Sequence, residues 1–346
     1  EGGNAEGLGL TYQVQGANKR ALSLDLAQPR GQEVLRRLAV RADVLVENFT
    51  TGSLDALGVG PDDLRRDAPR LIYCSITGYG ATGPRRRTGA YDNVIQAASG
   101  IIAQSGGHKP GLSFVDYATG YAAAFAISAA LARRERTNEG AAISVSMLET
   151  ALSMMAPEIA AADHVPAGPK RREAGILSYD TAEGTLVPGV FTPAQYRKLG
   201  RCLKMAGHPV SLLSECMDWP DVWRHSTELE RSLHAVFLTR TAEEWVASLR
   251  DCDLPAEKVM TLSEAIASTS SGCRRSAKSY MRSRQVQNES CSALAVRYSA
   301  APAITRWKAW LCRFGMPGSA IPGRWVVPES GQCGGRTVSI AAMLPS

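Results

Sequence analysis

Asp116 stands in Gly111-Leu-Ser-Phe-Val-Asp-Tyr-Ala-Thr-Gly120, with apolar or aromatic neighbours on both sides and no charged residue close by in sequence. A carboxylate in that setting loses water and gains no cation from its neighbours, so its charged form is less comfortable and more reactive than on an open surface. That suits a nucleophile. The same residue type also serves as an N-cap, accepting backbone N–H groups at the start of a helix, and the alanine-rich stretch Tyr121–Ala132 is where that helix is expected.

Other common chemistries find no matching pattern. Gly58-Val-Gly60 runs into Pro61, Asp62 and Asp63 and does not complete a Gly-x-Gly-x-x-Gly turn, and no Gly-Lys-Ser/Thr loop is present, which argues against NAD and ATP. Gly111-Leu-Ser113 continues into Phe114 and Val115, so there is no serine-hydrolase elbow. The eight cysteines are scattered, with no Cys-x-x-Cys pair and no Cys/His grouping; no metal site and a reduced, cytoplasmic protein are the expectation. The uncharged apolar run Gly120–Ala132 ends at Arg133 and Arg134, short of the roughly 20 residues that span a bilayer, so no membrane partner is expected. No signal peptide is recognised, and because the chain starts at Glu1 and not Met, a missing N-terminal segment is expected.

Charge is uneven. Residues 268–346 carry eleven Arg or Lys against two acids, Glu289 and Glu329, in a chain of net charge +6. The tail mixes Arg with Ser, Cys, Trp and Pro and shows no sustained period, unlike a simple nucleic-acid-binding tail. It reads as a frameshifted or unrelated extension, and no nucleic-acid partner is expected.

The elements that must position Asp116 alternate strand and helix. Ala21–Leu26 reads as a strand, Gln32–Arg41 as a helix with Val34, Leu35, Leu38 and Ala39 on one face, Asp43–Glu47 as a buried strand, Asp62–Asp67 as a short helix after Pro61, and Arg70–Ile76 as a third strand. Strands separated by helices pair in parallel through right-handed crossovers. The expected fold is therefore α/β, a Rossmann-like doubly wound parallel sheet with ligand sites at the carboxyl ends of its strands.

A series of motifs, Asn18–Leu26, Ala42–Phe49, Pro69–Ile76, Thr77-Gly-Tyr-Gly80, Tyr91-Asp-Asn93, Val115-Asp116 and Arg136–Gly140, resembles the class III CoA-transferase family, which includes formyl-CoA and carnitine CoA-transferases. A weaker match continues through Thr241–Trp245, Asp253–Pro255 and Leu262–Ala265 and stops near Ala267. The resemblance implies a CoA-binding Rossmann-like domain over 1–165, lacking its N-terminal part, a linker over 166–174 and a smaller α+β second domain over 175–267. Within that second domain, Gly175–Asp180 and Thr185–Phe191 read as an antiparallel pair, and Gln195–Ala206 and Ala242–Cys252 as helices.

In such enzymes the residue matching Asp116 attacks an acyl-CoA thioester and relays CoA to a carboxylic acid through covalent aspartyl intermediates. The partners implied are an acyl-CoA and a carboxylic acid acceptor, with CoA a substrate and no tightly bound cofactor. Backbone N–H groups would stabilise the developing oxyanion, with Gly106, Gly107 and Gly111 as candidates or simple turns. Asp92 aligns with an acid that assists the relay, or caps the helix Asn93–Gln104. The family's CoA contacts fall on Leu24, Asp25, Leu26 and Ala27, on Asn48, Phe49 and Thr50, and on Thr88, Gly89, Ala90 and Tyr91. Ala27, Ala56 and Gly89 stand where formyl-CoA transferase has basic residues, which leaves phosphate neutralisation to Arg85, Arg86 and Arg87, a run that also reads as a solvated loop.

Two alternatives stand beside the transferase. The 2-methylacyl-CoA racemases of the same family place a His before the position of Asp92, where this chain has Tyr91, and a phenol is a poor replacement for imidazole. An inactive fragment is the other, because the family's first strand and the segment that rejoins its first domain have no counterpart in the motifs above. A full-length relative would form an interlocked homodimer.

Overall fold

The computed structural model describes residues 19, 22–162, 173–268 and 341–343. Described residues of Glu1–His164 together with those of Cys291–Ser346 form one compact unit, and those of Val165–Ser290 form another.

The first unit is built on β1 (Val44–Glu47), β2 (Ile72–Thr77) and β3 (Ala141–Ser146), which run parallel in the order β3-β2-β1. Leu71 and Tyr73 pack with Leu35 and Ala39 of α1 (Pro29–Arg41) and Leu64 of α2 (Pro61–Asp67), whereas Cys74 and Ile76 pack with Ala123. Because strand side chains alternate between faces, both faces of the sheet are covered by helix. That is the doubly wound arrangement, and the near-continuous apolar strand Ile72–Thr77 follows from it. Pro opens both α1 and α2, where its missing N–H costs nothing.

Three expectations need correction here. Ala21–Leu26 is not a strand in its described part: Leu24 forms an isolated bridge and Leu26 lies in a turn, its side chain in the core. The turn forms because the Asp25 carboxylate accepts the Ala27 N–H at 3.0 Å and Gly31 packs against the Asp25 carbonyl with no room for a Cβ. Next, Asn93–Gln104 is two helices, α3 (Asp92–Ala98) and α4 (Ile101–Gln104), separated at Gly100 with φ 89°.

Finally, the helix that carries the alanine-rich stretch begins at Phe114, with Ser113 and not Asp116 at its N-cap, as α5 (Phe114–Thr137) of 24 residues. By length and composition α5 is long and apolar enough to cross a membrane, unlike the shorter uncharged run counted within it. Its apolar content includes the residues it lays on the sheet, Ala123 among them. At its far end Arg134, 6% exposed, pairs with Asp43 at 2.8 Å and donates to the carbonyls of Asp43 and Arg70, fixing the helix to the amino ends of β1 and β2. After β3 come α6 (Met147–Ser153) and α7 (Ala156–Ala162).

The second unit holds the antiparallel strands β4 (Tyr179–Asp180), β5 (Thr185–Pro188) and β6 (Ala256–Lys258). The expected β4–β5 pair is present in shortened form with Gly184 at φ 85° in its turn, and β6 adds a strand not anticipated. Around them lie α8 (Pro193–Met205), α9 (Leu212–Glu215), α10 (Trp219–Arg224), α11 (Ser226–Phe237), α12 (Ala242–Asp251) and α13 (Leu262–Ser268). Thr241 opens α12 with a capping box shared with Glu244. Cys202 and Cys252 form a disulfide with Cα atoms 6.0 Å apart, while Cys74 and Cys216 are free and buried. The expectation of a fully reduced chain is therefore overturned: 50 residues separate the two cysteines, too far for sequence spacing to suggest the pair.

Most of the expected linker 166–174 and most of the basic tail lie outside the described residues. Within the tail, β7 (Ala341–Met343) pairs antiparallel with β1, Val44 opposite Met343.

Candidate active site

The strand ends set the site. Thr77 and Ser146 stand opposite one another where β2 and β3 finish, both buried. Thr77 Oγ1 accepts the Gly80 N–H at 3.0 Å, and Gly80 takes φ 94°, a conformation that favours glycine. Gly78 has no space for a Cβ because the Ala90 Cβ would lie 2.2 Å from it. That close approach seats the end of the loop on the strand and so delivers Tyr91 and Asp92.

Asp92 is the first residue of α3 and is 6% exposed. Its carboxylate makes no cap on its own helix. Oδ1 instead accepts the backbone N–H of Asp116 at 3.1 Å, 24 residues away, and Oδ2 accepts from Gln96 Nε2. Asp116 is the third residue of α5, half-buried, with Ser113 at the N-cap making no side-chain cap. The first N–H groups of a helix have no acceptor within it, and one of these four is satisfied by Asp92 from outside. Asp92 is thus a cap, but of α5 and not of α3. The two acids expected to act together are brought together.

The helix start also changes the electrostatic reading of Asp116. The amino end of a 24-residue helix carries partial positive charge, which a neighbour-by-neighbour reading of the sequence omits. Apolar walls come from Phe114, Val115, Ile95, Ile101, Met147 and Tyr79, which share one cluster.

The glycine candidates separate. Gly107 N–H bonds to Ile102 O at 2.9 Å and Gly106 N–H to Ala103 O at 3.3 Å, with φ of 86° and 72°. Both close the carboxyl end of α4, so neither is an oxyanion donor in this conformation; Gly111 is exposed. The N–H groups of Phe114 and Val115, the first two residues of α5, have no acceptor within the helix and precede Asp116 directly.

Expected CoA contacts fall in three places. Leu24 and Phe49 pack on the same core cluster, which brings Leu24–Ala27 near Asn48–Thr50 at the end of β1. Leu26 is in the core, so only its backbone is available to a ligand. Thr88 and Gly89 are exposed and Ala90 partly buried, while Tyr91 is 49% exposed. The Arg87 guanidinium reaches the turn after β1, about 4.0 Å from where a Cβ on Gly52 would sit. Arg85 lies over the Tyr79 ring, 3.8 Å from its centroid. Of the arginine run, Arg87 therefore approaches Gly52, two residues beyond Asn48–Thr50.

Glu47 was not singled out by its sequence. It ends β1 with its carboxyl raised above the usual carboxylate range by burial, against which the Ser75 hydroxyl, the Phe49 N–H at 2.7 Å and Tyr73 act as hydrogen-bonding partners. Burial and nearby Glu47 push the Cys74 thiol up to about 12, so this cysteine is an inert core residue. Among the described residues no group of three or more His, Cys, Asp or Glu could hold a metal ion.

The chain as a whole has relatives in sequence and in structure. The sequence model of CoA-transferase family III matches residues 2–311, and the chain belongs to that family. The match continues past Ala267, where the resemblance was expected to stop. Mouse succinyl-CoA:glutarate CoA-transferase is 29% identical over 262 residues, covering 71% of this chain and 59% of that protein. Human alpha-methylacyl-CoA racemase is 31% identical over 274 residues, covering 75% and 70%. The orthorhombic crystal structure of Rv3272 from Mycobacterium tuberculosis superposes with a TM-score of 0.64 at 27% identity, covering 73% of this chain and 70% of that one. The chain spans 59% of the length of the mouse transferase and 39% of its human counterpart.

Proposed function

We propose that this chain transfers CoA from an acyl-CoA thioester to a carboxylic acid, with Asp116 as the covalent relay. The Asp116 carboxylate attacks the thioester carbonyl, the C–S bond breaks and CoA leaves as a thiolate, leaving a mixed anhydride. The thiolate then attacks the aspartyl carbonyl, releasing the donor acid as a carboxylate and forming an aspartyl thioester. An acceptor carboxylate attacks that thioester, the thiolate departs, and its return to the acceptor's acyl carbon yields the new acyl-CoA and frees Asp116.

The observation that carries this reading is the Asp92 carboxylate on the Asp116 N–H, which fixes the turn bearing the nucleophile. Relatives named as CoA-transferases support it. Asn48–Thr50, Thr88–Tyr91 and Arg87 would hold CoA, and dicarboxylates are the first acceptors to try. Asp116→Asn is expected to lower exchange of labelled carboxylate into acyl-CoA by at least ~10³-fold. Undiminished exchange would remove the proposal.

A racemase reading is favoured by the human relative. Exchange of the α-proton of a 2-methylacyl-CoA with deuterated solvent, without CoA transfer, would select it. The residue before Asp92 is Tyr91, an exposed phenol, and this favours the transferase.

A further inference from the structure

Gln96 is fully buried and polar, one helical turn beyond Asp92 on the same face of α3. Its amide nitrogen donates to Asp92 Oδ2 and to the Leu112 carbonyl at 3.3 Å. Both partners are acceptors, so the orientation of the amide is fixed by chemistry: nitrogen must face them, and its two hydrogens serve one each. The other end, Oε1, is buried and has no hydrogen-bond partner among the described residues. A buried acceptor left unmade is costly, and an apolar residue of similar shape would avoid the cost. The amide is kept for what its nitrogen holds.

What it holds is both sides of Asp116. Leu112 lies in the loop that leads into α5, and Asp92 carries the Asp116 N–H. The geometry points to Gln96 as a positioning residue for the relay: one side-chain amide ties the Asp92 carboxylate and the Leu112 loop together and so sets the turn from which Asp116 attacks. This rests on the transferase reading for its use in turnover, and on hydrogen bonds alone for the clamp itself.

The requirement is for a neutral donor. Glu at this position would set two carboxylates in contact, and such a pair retains a proton to a raised apparent pKa. While that proton is held, it supplies the donor that the amide supplied; once it is lost, the two acids repel and the clamp opens.

The test compares wild type, Gln96→Met and Gln96→Glu in the full chain. Amide hydrogen exchange across 112–117 is expected to quicken about tenfold in Gln96→Met, with the far end of α5 unchanged. In the exchange assay kcat is expected to fall about 10²-fold with KM for acyl-CoA held within about twofold. Gln96→Glu should recover activity as pH falls and lose it as pH rises, over a range where wild type is flat. Unaltered amide exchange in Gln96→Met would overturn the clamp, whatever the activity. Wild-type kcat in Gln96→Met, together with a wild-type pH profile in Gln96→Glu, would overturn its role in turnover. A wild-type chain that transfers no CoA would instead count against the transferase reading, while the amide-exchange result still decides the clamp.

Discussion

The two units spend their buried residues differently. In the first, Thr77, Asp92, Gln96, Thr119, Arg134 and Ser146 are buried polar or charged side chains, whereas in the second only Thr181 joins that group among the described residues. The second unit instead closes around Trp245, Tyr179, Tyr196, Phe237 and a row of leucines, and it carries the Cys202–Cys252 disulfide. Buried polar groups must be hydrogen-bonded to be tolerated, and they add less to stability than apolar packing. Their concentration at Thr77, Ser146, Asp92 and Gln96 marks where the first unit gives up stability for a defined arrangement of donors and acceptors. The second unit shows what the same chain does where no such arrangement is held.

The largest stability effect should therefore lie in the second unit. Trp245 is fully buried, donates through Nε1 to Phe237 O at 2.9 Å and meets the Phe237 ring edge-on at 5.4 Å. Trp245→Ala is expected to cost about 3–5 kcal/mol in denaturant unfolding; a cost below about 1 kcal/mol would mean that this core is not packed as described.

A smaller effect, but one with a sign, belongs to Glu47. Burial raises its carboxyl, so the folded state holds the proton more tightly than the unfolded chain. The stability this contributes is full below the ordinary carboxylate pKa and is lost as pH climbs through the raised one. Relative to Glu47→Gln, wild type should lose stability across that window in thermal melts. A gap between the two that stays constant with pH would contradict the raised carboxyl.

The smallest effect sharpens the comparison at the start of α5. Ser113 occupies the N-cap without making the cap bond, so Ser113→Ala should change stability by no more than ~0.5 kcal/mol. Asp92→Ala, which removes the bond made from α3, should cost about 1 kcal/mol. The reverse order would return capping to Ser113.

Much of the first unit is legible in the chain. The strands at Val44–Glu47 and Ile72–Thr77 and the helix opened by Pro61 follow from apolar period and helix-start chemistry, whereas the first helix begins at Pro29, three residues before the expected Gln32. The motifs around Asp116 and Asp92 single out both acids, and the structure joins them by one hydrogen bond. What was hidden is set by contacts distant in sequence: Ser113 and Asp116 are residue types that signal a helix start, yet Ser113 makes no side-chain cap and the bond to the start of α5 comes from a residue 24 positions earlier. The N–H groups of Gly106 and Gly107 are taken by Ile102 and Ala103, and a glycine pair looks the same in sequence whether its N–H groups are spent or open. Gln96 had a usable signal, its position one turn from Asp92, but only the Leu112 carbonyl gives that spacing a purpose.

The central claim is that an acyl group resides on the Asp116 carboxyl during turnover. Incubating the protein with acyl-CoA and hydroxylamine, followed by peptide mass analysis, tests it most directly. A hydroxamate on Asp116 that forms only in the presence of acyl-CoA is the predicted result; acyl exchange proceeding at full rate with that carboxyl unmodified would contradict it.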